Sequence, residues 1–200
     1  GSIGTQAFDV ISQHSDLYEV YCLTVNNSVE KLSQQAHKFK PAAVVIANEE
    51  KYKELQDLLA DEPDIKVYAG KSALEQIVEA EPIDMVLASM VGFSGFLPTI
   101  NAIKAHKKIC LANKKTLVVA GELICNLAKE NHVSILPVDS EHSAIFQSIV
   151  GDADNEIEKI LLTCSGGPFR LYSEEQLKTV TAADALKHPT WNMGAKITID

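Results

Sequence analysis

Hydrophobic positions along this chain switch repeatedly between two periods. Short apolar runs that read as strands cover residues 18–25, 42–47, 65–68, 84–89, 109–113 and 133–138. Between them the apolar residues fall three and four apart, as in Val29, Leu32, Ala36 and Phe39, and the same helical period holds over residues 49–61, 72–80, 98–106 and 116–131. Strands alternating with helices are the mark of βαβ units, a parallel sheet with helices on both faces. The expected fold class is therefore α/β, a Rossmann-like doubly wound parallel sheet over residues 1–138. Two helix starts carry capping-box pairs, Asn27 with Glu30 and Ser72 with Glu75.

After residue 138 the pattern changes. A helix over about 142–150 leads through the polar connector GDADN to an expected strand, 157–163, and then to the tight loop CSGGPF. Two short helices follow, opened by the capping pairs Ser173/Gln176 and Thr181/Asp184. The loop HPTWNMG spans 188–194, and residues 197–200 read as the beginning of another strand. Residues 139–200 are expected to form the start of a second, α+β domain, and the chain to be a piece of a longer protein cut at both ends.

The amino terminus carries the first candidate chemistry. Gly1, Ser2, Ile3 and Gly4 open a helix whose Ile3, Ala7, Val10 and Ile11 share one face. A glycine-rich helix start leaves backbone N–H groups pointing at any phosphate placed there, assisted by the helix dipole. The full dinucleotide fingerprint needs a strand before its first glycine, which this sequence does not show, and Gly1–Ser2 alone reads equally as a cloning remnant. Asn26, Asn27 and Ser28 follow the strand at 18–25, where a doubly wound fold reads the adenosine ribose or its 2′-phosphate. They are neutral hydrogen-bonding residues, so the acidic residue that favours NAD over NADP is missing; the same three residues are also ordinary turn chemistry.

Charge and composition narrow the classes. The net charge of −9 over 200 residues comes without any Lys/Arg cluster, which argues against nucleic-acid binding. An apolar fraction of 46% with 22% charged residues is that of a globular chain. No apolar run reaches a membrane span and no signal-peptide pattern opens the chain, so the expected setting is cytoplasmic. Cys22, Cys110, Cys125 and Cys164 have no CxxC spacing and imply neither zinc nor a disulfide framework.

Four local constellations carry reactive side chains: Asn113–Lys114 at the end of a strand, the run Asp139, Ser140, Glu141, His142, the loop at Ser165, and the loop from His188 through Trp191 and Met193 to Gly194. Lys114 stands where an open α/β sheet forms its ligand crevice. Asp139 and Glu141, at i and i+2 in extended chain, would point to one side and converge on a divalent cation of the oxygen-loving kind, Mg²⁺ or Mn²⁺. The plain alternative is an acidic turn in which Asp139 caps a helix. Ser165 with Gly166 and Gly167 suits a phosphate or an ordinary turn. The HPTWNMG loop has the composition of a flap over a bound ligand, or of a structural loop anchored by Trp191 and Met193.

Taken in order and spacing, ANKKTLV, LPVDSEHSAIFQ, LLTCSGGPFR and HPTWNMGAKITID, with GSIGTQAFDVI at the start, resemble the signature blocks of the 1-deoxy-D-xylulose 5-phosphate reductoisomerase family. The resemblance runs over essentially the whole chain and makes the cloning-remnant reading of Gly1–Ser2 unattractive. It implies an NADPH- and divalent-metal-dependent homodimer of the non-mevalonate isoprenoid pathway that converts 1-deoxy-D-xylulose 5-phosphate to 2-C-methyl-D-erythritol 4-phosphate. Mn²⁺ or Mg²⁺ is the implied metal, with Co²⁺ a further candidate, and the partner is a small sugar phosphate. By residue, it implies cofactor contacts at Gly1, Ser2, Ile3, Gly4, Asn26, Asn27, Ser28, Asn113, Lys115 and Gly194. Catalytic roles fall to Lys114, Asp139, Glu141 and His188, and metal ligation to Asp139 and Glu141. Substrate contacts fall to Lys114, Ser140, Glu141, Ser165, His188, Trp191 and Met193.

Three departures from the family pattern stand out. Lys115 occupies the position of a usual Glu, Cys164 that of a usual Gly or Ala, and Asn26–Asn27–Ser28 that of a glycine-containing turn. The family's third metal carboxylate belongs to a block beyond Asp200, so the 200-residue chain by itself is expected to be inactive. Two other functions fit the residues alone: a non-catalytic NADP-binding module, and a metal-independent NAD(P) dehydrogenase.

Overall fold

The computed structural model describes residues 1–152, 154–163 and 166–190. It divides into two compact units, Gly1–Gly151 and Asp152–Asp200.

The first unit is built as the alternation of periods predicts. Helix α1 (Ser2–Gln13) is followed by β1 (Cys22–Val25), α2 (Val29–Phe39), β2 (Ala43–Ile46), a 3₁₀ turn over Glu49–Lys51 and α3 (Tyr52–Leu58). Then come β3 (Lys66–Ala69), α4 (Lys71–Ile77), β4 (Met85–Ala88), a 3₁₀ turn over Gly92–Gly95, α5 (Phe96–Lys104) and β5 (Lys108–Leu111). Helix α6 (Lys115–Glu130), β6 (Ile135–Pro137) and α7 (Ser140–Ile149) complete it. Every strand pair is parallel, in two three-stranded sheets ordered β1-β2-β3 and β4-β5-β6. In each sheet the carboxyl ends of the strands therefore share one edge, which is where an open α/β sheet places its ligands.

Each sheet has its own core. Leu23, Val44 and Ile46 pack with Val29, Leu32 and Ala36 of α2 and with Leu55 and Leu59, while Phe8 of α1 closes on the same cluster and stacks on Phe39. All four residues of β2 are buried, so both faces of that strand are covered, as its unbroken apolar run requires. Ala88, Ile109 and Leu111 form the second core with Ala102, Ile103, Ile124 and Ala128 from α5 and α6. Helix α6 is broken at Ala120, whose φ of −148° is not helical, just before Gly121.

Several local expectations are corrected. The first strand begins at Cys22 rather than at residue 18. Neither Asn27/Glu30 nor Ser72/Glu75 forms a capping box: Asn27 Oδ1 instead accepts from Asn48 Nδ2 at 2.9 Å, tying the ends of β1 and β2 together. Helix α4 starts one residue early, after Gly70 at φ +95°, so Ser72 lies inside its first turn and accepts from Gln76.

In the second unit, residues 157–163 form no strand, because among the described residues no partner pairs with them. Leu161 there is 80% exposed. Short helices α8 (Glu174–Leu177) and α9 (Ala182–Ala185) follow, and both expected capping boxes, Ser173/Gln176 and Thr181/Asp184, are present.

Candidate active site

The site is assembled at the carboxyl ends of β5 and β6. After Leu111 the chain turns back on β4, with the N–H groups of Ala112 and Asn113 both donating to Ala88 O at 3.1 Å. Asn113 is buried and its amide bonds at both ends within the chain: Nδ2 donates to Gly92 O at 2.7 Å and Oδ1 accepts from Lys115 N–H at 3.2 Å. One side chain thus joins the loop after β4 to the start of α6. A Cβ at Gly95 would stand 3.3 Å from Asn113 Nδ2, which explains a glycine at that position in VGFSG. This clasp is a feature that periodicity does not reveal.

Lys114 projects from the same turn. Its Nζ lies 3.3 Å from Glu141 Oε2 and 3.9 Å from Asp139 Oδ2. Those carboxylates come from the next strand along. Pro137, which has no N–H, is the last residue of β6; Val138 N–H makes a closing bond to Leu111 O, and Asp139 is the N-cap of α7. The pair does converge, but not by strand alternation, since Glu141 already lies in the helix. Asp139 occupies the cap position without making a capping bond, and its Oδ2 is instead 2.6 Å from His142 Nδ1. Asp139 is the more enclosed of the two, its side chain 13% exposed against 46% for Glu141.

The electrostatics favour charge on Glu141. Its own backbone N–H, then the Ser140 hydroxyl at 3.1 Å and the Lys114 ammonium, hold the carboxyl below its ordinary value. A cationic side chain resting against two carboxylates is a stand-in for a metal ion, and the donors are hard oxygens suited to Mg²⁺ or Mn²⁺. The residues present fit such an ion. Among the described residues, the one group of three metal-type side chains closing within 4.8 Å is His37, Asp61 and Glu62, which are engaged with one another and with Lys40.

The cofactor candidates frame the carboxyl ends of β1 and β4. Gly1 is the N-cap of α1 and makes no side-chain capping bond, and a Cβ at Gly4 would stand 3.9 Å from Ser89 Oγ just past β4. Helix α1 thus starts at the crevice, with Ser2 and Ile3 in its first turn. Asn26, Asn27 and Ser28 are exposed after β1, and Asn48 N–H donates to Asn26 O. Lys115 is the exposed first residue of α6.

In the second unit His188 Nδ1 accepts from Thr190 N–H at 3.1 Å. Gly166 and Gly167 have positive φ, +76° and +68°, so the loop expected at SGG requires glycine. Ser165, Cys164, Trp191, Met193 and Gly194 lie outside the described residues.

A lysine against two carboxylates at a parallel-sheet crevice admits several chemistries, and comparison with known proteins gives the family. The family model for 1-deoxy-D-xylulose 5-phosphate reductoisomerase matches residues 1–121, and the model for the same enzyme's C-terminal domain matches residues 135–200. The chain belongs to the 1-deoxy-D-xylulose 5-phosphate reductoisomerase family. It is 67% identical over 200 residues to the reductoisomerase of Phocaeicola vulgatus and 66% identical to that of Bacteroides thetaiotaomicron, spanning 52% and 51% of their lengths. The chain thus covers about half of these reductoisomerases.

Solved reductoisomerase structures agree in fold. That from Zymomonas mobilis in complex with NADPH superposes with a TM-score of 0.87 at 37% identity, over 94% of this chain and 49% of its own. A reductoisomerase crystal structure in complex with NADPH, fosmidomycin and magnesium gives 0.85 at 36% identity, over 100% of this chain and 52% of its own.

Proposed function

We propose that this chain carries the cofactor-binding half and part of the catalytic centre of an NADPH- and divalent-metal-dependent reductoisomerase, acting on 1-deoxy-D-xylulose 5-phosphate to give 2-C-methyl-D-erythritol 4-phosphate in non-mevalonate isoprenoid synthesis. The convergence of Lys114 on Asp139 and Glu141, in a chain matched by the family along its length, carries this reading. Relatives solved with NADPH and with magnesium support the cofactor pair.

Residues 1–138 form the NADPH part. The N-terminus of α1 at Gly1, Ser2, Ile3 and Gly4 receives the pyrophosphate, Asn26, Asn27 and Ser28 face the adenosine ribose phosphate, and Asn113, Lys115 and Gly194 complete the contacts. Residues 139–200 begin the catalytic part, where Asp139 and Glu141 hold a divalent ion, Mg²⁺ or Mn²⁺. When bound, that ion supplies Lewis acidity to the ketone and neighbouring hydroxyl oxygens. Lys114, Ser140 and Glu141 orient the substrate backbone, and Ser165 and His188 hold its phosphate end. Trp191 and Met193 cover it and exclude water, so that binding energy is applied to orientation. NADPH held by these contacts would supply the hydride for the reduction. The working form is a cytoplasmic homodimer with no nucleic-acid partner; among the described residues no helix is long and apolar enough to cross a membrane.

NADPH oxidation by the full-length protein, with this substrate and Mn²⁺, tests the proposal. Turnover that vanishes with chelator and falls by orders of magnitude in Asp139→Asn is expected. Metal-independent reduction would identify a plain dehydrogenase, and cofactor binding without turnover a binding module.

A further inference from the structure

A carboxylate at a helix N-cap ordinarily accepts a hydrogen bond from the second or third N–H of its own helix. Asp139 stands at the N-cap of α7 and makes no such bond. Its Oδ2 is held at 2.6 Å by Nδ1 of His142, one turn along the same helix. A carboxylate in this contact only accepts, so Nδ1 carries the proton. The imidazole is 53% exposed, which makes it a poor core residue, whereas the Asp139 side chain it grips is 13% exposed. A helix that needed only capping would use Asp139 on its own N–H groups; here that function has been given up to fix the carboxylate from outside.

We propose that His142 is a positioning residue for the divalent ion: its Nδ1–H locks the rotamer of Asp139 through Oδ2 and presents Oδ1, which has no hydrogen-bond partner among the described residues. This rests on Asp139 being a metal ligand. The physical logic is that of an outer-shell hydrogen bond, which orients a ligand before the ion arrives and removes the rotamer entropy that binding would otherwise cost. His142 touches neither ion nor substrate in this role. Lys114 and Ser140, the other donors at the cluster, act chiefly on Glu141, leaving His142 as the close donor to Asp139.

Calorimetric titration of Mn²⁺ alone into the full-length protein tests this, with thermal melts of each variant alongside. His142→Ala is expected to weaken Mn²⁺ binding by roughly 10- to 100-fold, the usual cost of losing such a partner. His142→Asn, whose amide N–H can take the place of Nδ1–H, is expected to recover most of that loss, which a merely structural role for the imidazole does not predict. Wild-type affinity in His142→Ala, with weakened binding in Asp139→Asn, would overturn the positioning role and leave the metal site standing. Equal losses in the Ala and Asn variants accompanied by lowered melting would overturn it in favour of a folding role. Unchanged affinity in Asp139→Asn would remove the metal-ligand reading itself.

Discussion

The ammonium of Lys114 lies 3.3 Å from Glu141 Oε2, although 27 residues separate the two in sequence. The contact joins the turn after β5 to the first turn of α7, so an ammonium and a carboxylate neutralise each other. On the proposed function, a divalent ion held by Glu141 and Asp139 would compete with that ammonium for the same carboxylates.

Removing the lysine should therefore tighten metal binding. For Lys114→Gln we expect Mn²⁺ affinity to rise by about two- to fivefold, the range of a half-exposed ion pair. Lys115→Gln removes the same charge one residue away and should give a smaller change. Equal gains in both variants would reduce the effect to long-range charge.

Lys115 faces the wrong way electrostatically. It is the first residue of α6, whose first turn contains no acidic side chain, so a positive charge meets the positive end of the helix dipole. Lys115→Glu should stabilise the protein by about 0.3–1 kcal/mol at low salt, with the gain shrinking as salt is raised. Urea titrations at two ionic strengths measure this.

Asn113 makes two bonds from a buried position, and neither survives truncation. Asn113→Ala should cost about 1–3 kcal/mol, because Gly92 O and Lys115 N–H each lose a partner. Asn113→Asp keeps the acceptor for Lys115 but sets an anion against Gly92 O, and should recover little. Denaturation midpoints report the stability. NADPH titration of the same variants reports whether the loop over Gly92–Gly95 also shapes the cofactor site.

The His37–Asp61 pair supplies a pH dependence remote from the chemistry. Nδ1 lies 2.8 Å from Ser33 O and Nε2 3.0 Å from Asp61, two acceptors that the charged imidazolium serves with both of its N–H groups. The Ser33 carbonyl first, then Asp61, raise the His37 pKa, and His37 in turn lowers that of Asp61. The histidine's contribution is fully present below its unfolded value of about 6.5 and is lost as pH rises through the raised folded value. That of Asp61 is present above about 4 and lost as pH falls through its depressed value. Melting of wild type against His37→Gln should differ more below about pH 6.5 than well above it, the difference fading as pH rises through the raised folded value. An equal difference above and below would show that the ring acts by packing.

Much of this architecture is legible in the sequence because burial dictates it. The run at Ala43–Ile46 has no polar face to offer water, so it reads as a central strand and is one. The capping pairs Ser173/Gln176 and Thr181/Asp184 read correctly because each is satisfied within its own first turn, Asp184 keeping its capping bonds while its other oxygen accepts from Lys187. Asn27 fails the same reading because Asn48, two residues past β2, takes its oxygen. The apolar residues at 157–163 mislead for a related reason: strand propensity has no outlet without a neighbouring ladder. The candidate site lies between these cases. Motifs identify Lys114, Asp139 and Glu141 one by one, but their meeting depends on β5 and β6 lying side by side, and local spacing gives the wrong cause for it.

Helix α7 packs against β6 within the first compact unit, which extends to Gly151. Lys114, Asp139 and Glu141 therefore all belong to one compact unit. Their spacing is set by the pairing of β5 with β6 and the packing of α7 on β6, so the loops of the second unit can vary without resetting it.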